Sequence, residues 1–434
     1  MYLGIKERKM FVSIPRFKSV LFFIVMAVCI CRAEVIGLKT DRDNAMYNIS
    51  ETAMFEVSST AGIDFDYELT LDGGPKLAGG TMRVEDKPIK IEGTLDKPGF
   101  LKCTLKYTDP ESGKNVQLIA TAGFDLEKIK PAFDDVPYDF DSFWMERKAE
   151  LACIPMEPVM KKIASSDPNI EIFDVQIKSI GLPVSGYYAR PINAKVKSSP
   201  AILFVQGAGV NSASAGWITQ YANLGFIALE INAHGLPNGK DSSYYDNLFS
   251  GKLSSYWEWG KESPYTSYFT GMYIRVIRAL EFLKSQPQWD GKVLVTYGSS
   301  QGGSQALAGA GLDSDVNIVM ASVPAMCDHS GIINGWPRFV PIEKDGTYNK
   351  QISDASRYVD SVNFSRRTNA YGIFIVGFID TTCRPTSVYA AFNSFKGDKE
   401  MINKPLMTHT FPYEDSELVK RKILARVKIL KQGK

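Results

Sequence analysis

One hexapeptide constrains this chain more than any other stretch. The apolar run Lys292–Tyr297 leads into Gly298-Ser299-Ser300-Gln301-Gly302-Gly303, and the following Ser304-Gln305-Ala306-Leu307-Ala308 favours helix. This is G-x-S-x-G set between a strand and a helix. Glycines are required there because side chains flanking a serine on a tight, strained turn would clash. Such a turn lifts Ser300 to the top of a sheet and directs the Gln301 amide outward from a helix N-terminus. The surrounding sequence agrees. Apolar runs at Ala201–Gln206, Phe226–Asn232, Asn317–Val323, Tyr371–Phe378 and Glu400–Asn403 alternate with helical stretches. In one of these, Gly271–Ser285, the residues Tyr273, Val276, Ile277, Leu280 and Leu283 form a single core-facing stripe. Strand–helix alternation of this kind predicts a parallel sheet covered on both faces. Two earlier extended runs, Glu171–Ser179 and Gly186–Ile192, predict an antiparallel edge. A basic amphipathic helix, Ser416 to Leu430, closes the chain with its Lys and Arg residues in solvent.

Composition narrows the function classes. Fifty Lys and Arg against 48 Asp and Glu leave a net charge of +2 in 434 residues. Neither sign dominates, which argues against a strongly basic nucleic-acid binder or an acidic tail protein. Hydrophobic residues at 44% are ample for packed cores. Six cysteines in this length make no disulfide framework, and three histidines make a multi-histidine metal site improbable. At the N-terminus, Lys6, Arg8, Lys9, Arg16 and Lys18 precede the apolar run Val20 to Ile30 and then Cys31-Arg32-Ala33. A basic head, a short apolar segment and a small residue at the exit predict a secretory signal over residues 1–33. The run is shorter than the roughly 20 apolar residues that span a bilayer. Secretion or export to the periplasm is therefore expected, with no lasting membrane insertion. Removal of the leader takes Cys29 and Cys31 with it and leaves Cys103, Cys153, Cys327 and Cys383, read as free thiols.

Residues 34–127 follow a different period. Leu101, Cys103, Leu105 and Tyr107 alternate with Lys102, Thr104 and Lys106, and turns fall at Asp72-Gly73-Gly74, Asp96-Lys97-Pro98-Gly99 and Asp109 to Lys114. Short, evenly spaced strands over this length predict an immunoglobulin-like β-sandwich. It carries no aromatic cluster that would mark a sugar binder, and a spacer or packing role is expected. A linker near Lys128 to Pro137 opens the second part, residues 128–434.

A serine on such a turn needs a base, an acid and two oxyanion donors. With this elbow the partners follow in the order acid, then histidine. Of His234, His329 and His409, only the last two follow Ser300, and His329 comes too soon to leave room for a strand carrying the acid. His409 remains as the base. Asp380 closes the strand Tyr371–Phe378 and is the candidate acid, holding the imidazole tautomer. A competing alignment of the C-terminal pattern would put Ser416 at the base position, but a hydroxyl is far too weak a base near neutral pH. The amide of Gln301 is one oxyanion donor. The second is assigned to Ala208 in Gln206-Gly207-Ala208-Gly209, where small residues after a strand let backbone N–H groups approach a ligand. His234, at a strand end, and His329, beside Asp328, read as surface turn residues ahead of pocket residues.

These residues resemble the acetyl xylan esterase / cephalosporin C deacetylase family of serine esterases over Phe133 to Leu430. The resemblance is carried by Tyr138-Asp139-Phe140-Asp141-Ser142-Phe143-Trp144, by the Ser300-Gln301-Gly302-Gly303 elbow, and by Asp380-Thr381-Thr382-Cys383-Arg384-Pro385 through Tyr389-Ala390-Ala391-Phe392-Asn393. It implies an α/β-hydrolase fold for residues 128–434, with the β-sandwich outside the shared region. It also implies removal of acetyl groups from acetylated sugars, xylan fragments or small esters, without cofactor or metal. Carried over by position, Ser300 is the nucleophile, Asp380 the acid, His409 the base, and Ala208 and Gln301 the oxyanion donors. The sequence departs from the family pattern at His234-Gly235-Leu236, where Arg-Gly-Gln is common, and at Arg384 and Thr408. The expected partner is an acetylated saccharide or another small acetyl ester, not nucleic acid, with a homo-oligomer left open. The alternatives are a peptidase or general carboxylesterase of the same fold, or an inactive carbohydrate-binding relative.

Overall fold

In the α/β part, the strands with no polar alternation are the ones buried on both faces, as a parallel sheet between helices requires. The computed structural model describes residues 36–329, 343, 345 and 347–432. The expected leader, residues 1–33, lies outside them.

Eight strands come first: β1 (Ile36–Thr40), β2 (Met46–Tyr47), β3 (Ala53–Ser59), β4 (Ile63–Leu71), β5 (Lys76–Val84), β6 (Ile89–Gly93), β7 (Gly99–Thr108) and β8 (Asn115–Phe124). They form two small sheets, ordered β1-β3-β6 and β2-β8-β7-β4-β5. The two sheets touch at Gly93 of β6, where an added Cβ would lie 2.4 Å from Leu101 Cδ2 and 3.3 Å from Leu69 Cδ1. The alternation read in β7 follows this packing, with Leu101, Cys103 and Leu105 buried.

The second part opens with α1 (Phe140–Ala152), β9 (Val159–Ile163), β10 (Ile170–Ile177), β11 (Val184–Pro191) and β12 (Ser199–Val205). Then follow α2 (Gly216–Asn223), β13 (Ile227–Ile231), α3 (Ser242–Ser250), α4 (Tyr268–Ser285), β14 (Trp289–Ser299) and α5 (Gln301–Leu312). The chain ends with β15 (Ile318–Ser322), α6 (Lys350–Ser356), α7 (Ser361–Ser365), β16 (Tyr371–Gly377), α8 (Pro385–Ser394), β17 (Lys399–Lys404) and α9 (Tyr413–Lys431). Nine strands make one sheet, ordered β17-β16-β15-β14-β12-β13-β11-β10-β9. From β17 to β13 the pairs are parallel, while β11, β10 and β9 add an antiparallel flank. Every residue of β12, β13 and β15 is buried. No helix among the described residues is long and apolar enough to cross a membrane.

The β-rich part and the α/β part belong to one compact unit, Ile36–Lys434. A 3-10 turn, Leu126–Lys128, spans the boundary expected between them. One hydrophobic cluster joins Ala45 and Phe100 of the first part to Phe140, Trp144, Tyr273, Phe378 and Tyr389 of the second. Cys103, Cys327 and Cys383 are buried, Cys153 is exposed, and none of the four forms a disulfide.

Candidate active site

The parallel strands all end on one edge of the sheet, and the loops that follow β12, β14, β16 and β17 meet there. After β14 the chain turns sharply at Ser300, which has φ 59° and ψ −126° and caps α5. Close approach explains the glycines on either side. A Cβ at Gly298 would lie 2.1 Å from the Gly302 carbonyl oxygen, and one at Gly302 would lie 2.3 Å from the Val205 oxygen. The elbow is therefore seated directly against the end of β12. Ser300 N–H donates to Ser322 O at 2.9 Å, and Ala325 N–H donates to Ser300 O at 2.9 Å, tying the turn to β15 and its loop.

The structure brings together the three side chains singled out from the sequence. His409 Nε2 lies 2.9 Å from Ser300 Oγ, and His409 Nδ1 lies 2.8 Å from Asp380 Oδ2. With Nδ1–H donating to the carboxylate, Nε2 is left to accept from the serine hydroxyl. Asp380 is buried, and its other oxygen accepts the N–H groups of Thr382 at 2.7 Å and Cys383 at 2.9 Å. Both carboxylate oxygens are thus engaged, which fixes the plane of the group. The loops carrying His409 and Asp380 also pack on one another, since a Cβ at Gly377 would meet Met407 O at 2.3 Å. Ser300 and His409 are partly accessible from solvent. Ser416 lies in the first turn of α9, its hydroxyl donating to Tyr413 O at 2.6 Å, away from the serine–histidine pair.

The loop Gln206–Gly209 runs beside the elbow: a Cβ at Gly207 would be 3.8 Å from Ser300 Cβ. Gln301 is the first residue of α5, where backbone N–H groups have no partner within the helix. Ala208, Asn211, Trp217, Tyr297, Ser299 and Phe411 line a cavity of about 360 Å³ next to these donors.

Several residues that hold this loop carried no signal in the sequence. Gln305 Nε2 donates to Gln206 O at 2.8 Å, and Gln206 Nε2 donates to Ser212 O at 2.7 Å and to Glu230 Oε1 at 2.9 Å. Burial pushes the Glu230 carboxyl up from its ordinary range. His234 is buried, and its Nε2 lies 2.8 Å from Gly209 O. A carbonyl only accepts, so Nε2 carries the proton and Nδ1 accepts from the Tyr268 hydroxyl at 2.7 Å. Burial drives the His234 pKa down to about 4, keeping the ring neutral. Tyr256, packed edge-on against His234, donates to Gln301 Oε1 at 2.5 Å. His329 is buried with its nitrogens 3.0 Å from the carbonyls of Met326 and Ser356. His234 and His329 therefore both serve the framework. A polar glutamine closing the apolar strand β12, and a second one a turn after the elbow, are the only local hints of this bracing.

Residues 119–421 match the acetyl xylan esterase (AXE1) family model. The acetyl esterase Axe7A of Xylanibacter ruminicola is 30% identical over 385 residues, 84% of each chain. The acetyl xylan esterase from Paenibacillus sp. R4 superposes with a TM-score of 0.59 at 26% identity, covering 69% of this chain and 98% of its own. Acetyl xylan esterase 1 from Thermoanaerobacterium sp. JW/SL YS485 shares the fold, with a TM-score of 0.58, 18% identity and coverage of 69% and 97%. From the elbow, the converging loops and these likenesses together, the chain belongs to the acetyl xylan esterase family and is a carboxylic ester hydrolase of α/β-hydrolase type.

Proposed function

We propose that this protein removes acetyl groups from acetylated carbohydrates, xylan fragments or related acetyl esters, through an acetyl-enzyme on Ser300. His409 Nε2 takes the Ser300 proton as Oγ attacks the acetyl carbonyl. The amides of Ala208 and Gln301 hold the oxyanion that forms. As the ester bond breaks, His409 returns the proton to the departing sugar oxygen. Water, deprotonated by the same imidazole, then attacks the acetyl-enzyme, and acetate leaves with Ser300 reprotonated. Asp380 keeps the imidazole in its tautomer and stabilises the imidazolium. The observation that carries this reading is the continuous contact of Ser300, His409 and Asp380 at 2.9 and 2.8 Å. We also read residues 1–33 as a cleaved leader to a secreted or periplasmic protein, and the two small sheets as an immunoglobulin-like sandwich.

Acetate release from a panel of acetylated glycans and small acetyl esters tests the reading. Acetyl esters are expected to exceed butyryl and longer esters, and Ser300→Ala is expected to remove turnover by several orders of magnitude with the fold intact. Full activity in well-folded Ser300→Ala would sink the mechanism, and a preference for long acyl chains would move the protein to general carboxylesterases.

A further inference from the structure

The helix that follows the acid turn starts badly by its own sequence. Helix α8 has Arg384 at its N-cap position, which offers no acceptor, and Pro385 next, which has no N–H. The first free amide of the helix, that of Thr386, therefore needs a partner from elsewhere. It finds one 314 residues away: Thr386 N–H donates to Asp72 Oδ2 at 3.1 Å. Asp72 is buried in the Asp72-Gly73-Gly74 turn between β4 and β5, and its own N–H donates to Phe100 O at 3.0 Å. Beside it, Gly73 has φ +69°, and a Cβ there would sit 2.5 Å from Cζ of the Arg384 guanidinium.

The same region is held from its other side. Phe100 of β7 packs edge-on against Phe378, two residues before Asp380, with ring centroids 5.0 Å apart, and also touches Tyr389 of α8 at 5.8 Å. Asn393, in the last turn of α8, donates to Leu126 O at 2.8 Å and Ile129 O at 2.9 Å. The segment from Phe378 to Asn393 is thus gripped before the acid, just after it, and at the far end of the helix. In every case the partner belongs to the β-rich part or to the segment leaving it.

We propose that the β-rich part is a working portion of the catalytic apparatus, and that Asp72 is a positioning residue which caps α8 and so fixes the turn presenting Asp380 to His409. The inference rests on the reading of Asp380 as the acid of the site. A carboxylate at a helix N-terminus satisfies the amide and complements the helix dipole, and asparagine caps as well as aspartate. Without the cap, the first turn of α8 frays into the acid turn, and displacement of Asp380 on the ångström scale lowers the rate without removing any group that touches substrate.

The test compares wild type, Asp72→Ala and Asp72→Asn on one small acetyl ester, with amide hydrogen exchange of α8 measured in parallel. Asp72→Ala is expected to lower kcat roughly ten- to hundredfold with KM within about twofold. Asp72→Asn is expected to restore kcat to within about threefold of wild type. Exchange at Thr386 and the next amides should accelerate in Asp72→Ala alone. In an Asp380→Asn background Asp72→Ala should add almost nothing, because the two act through one group. An unchanged kcat in folded Asp72→Ala, or the same fold-loss in both backgrounds, would overturn the proposal. Should Asp72→Ala not fold, Asp72→Ser, whose hydroxyl stops one bond short of the carboxylate oxygen that meets Thr386 N–H, replaces it with an intermediate loss expected, and unchanged exchange of α8 together with wild-type kcat in that variant overturns the proposal equally. If wild type hydrolyses no acetyl ester, the functional reading falls, yet unchanged protection of α8 in Asp72→Ala still refutes the cap.

Discussion

Gly302→Ala isolates the seating of the elbow against the loop carrying Ala208. The added Cβ would lie 2.3 Å from Val205 O, 3.0 Å from Gln206 C and 3.1 Å from Gln206 O. Carbon–oxygen contacts are comfortable from about 3.3 Å, so the start of α5 and the end of β12 must separate by roughly 1 Å. All three crowded atoms are backbone, so no rotamer change relieves them. That motion moves the amides of Gln301 and Ala208 relative to each other. If these amides are the oxyanion donors proposed above, loss of their alignment is worth roughly 10²- to 10³-fold in kcat. Overpacking costs about 1–3 kcal/mol, partly offset by the about 1 kcal/mol that alanine gains over glycine inside a helix. The expected variant is thus folded, melts a few degrees low and is slowed about a hundredfold. Initial rates with a chromogenic acetyl ester, read beside a thermal melt, measure both. Gly309→Ala on the same helix is the control, because the atoms nearest its Cβ are side-chain atoms of Val276, Thr296 and Leu280 at 3.1–3.5 Å. It should alter stability and leave kcat alone. A Gly302→Ala enzyme within about threefold of wild-type kcat would refute the claim that the two donors depend on this contact.

Two buried groups should give the stability opposite slopes with pH. His234 has its folded pKa lowered to about 4, so its contribution is present above the unfolded value near 6.5 and is lost as pH falls through 4. His234→Phe should therefore lose less stability than wild type on acidification from 6.5 to 4, by up to about 3 kcal/mol, while being less stable at pH 8 because Gly209 O and the Tyr268 hydroxyl lose their partner. Asp72 is raised to about 6, by burial first and against the hydrogen bonds from Thr386 and the charges of Arg384 and Lys102, so its contribution is present below about 3.8 and is lost as pH rises through 6. Asp72→Asn should gain on wild type between pH 4 and 6, by up to about 3 kcal/mol; parallel urea-denaturation curves across that range would contradict the assignment.

What was legible in the sequence is what local pattern can carry. Strand β12 and the body of β14 announce themselves because both faces are buried, and α9 because its apolar stripe is set among Lys and Arg residues. Chain order singles out His409 and a strand end singles out Asp380, and the structure places these two side chains 2.8 Å apart. Strand β9 gives no such signal: its Val-Met-Lys-Lys-Ile lies on the outer edge, mostly exposed, and is a strand only because β10 pairs with it. Asp72-Gly73-Gly74 read as a turn and nothing more, since its partner lies 314 residues further on. His234 stayed ambiguous for the same reason. A histidine after a strand looks alike whether its ring faces substrate or, as here, braces the Gly209 carbonyl. Pattern shows which face a residue occupies, but not which distant backbone group it meets.

The backbone of Ser300 has an evolutionary consequence. With φ 59° and ψ −126° it sits where only glycine is at ease, a conformation that costs another residue about 1–3 kcal/mol. Ser300→Gly is therefore expected to melt higher than wild type while turning over nothing, and an unaltered or lower melting temperature would show that the turn stores no strain. Selection for persistence and selection for turnover pull in opposite directions at this one position. In a lineage that no longer meets its ester, this serine is the residue whose loss the fold would welcome, so decay of activity there should begin at Ser300, the proposed nucleophile, and leave a sturdier protein behind.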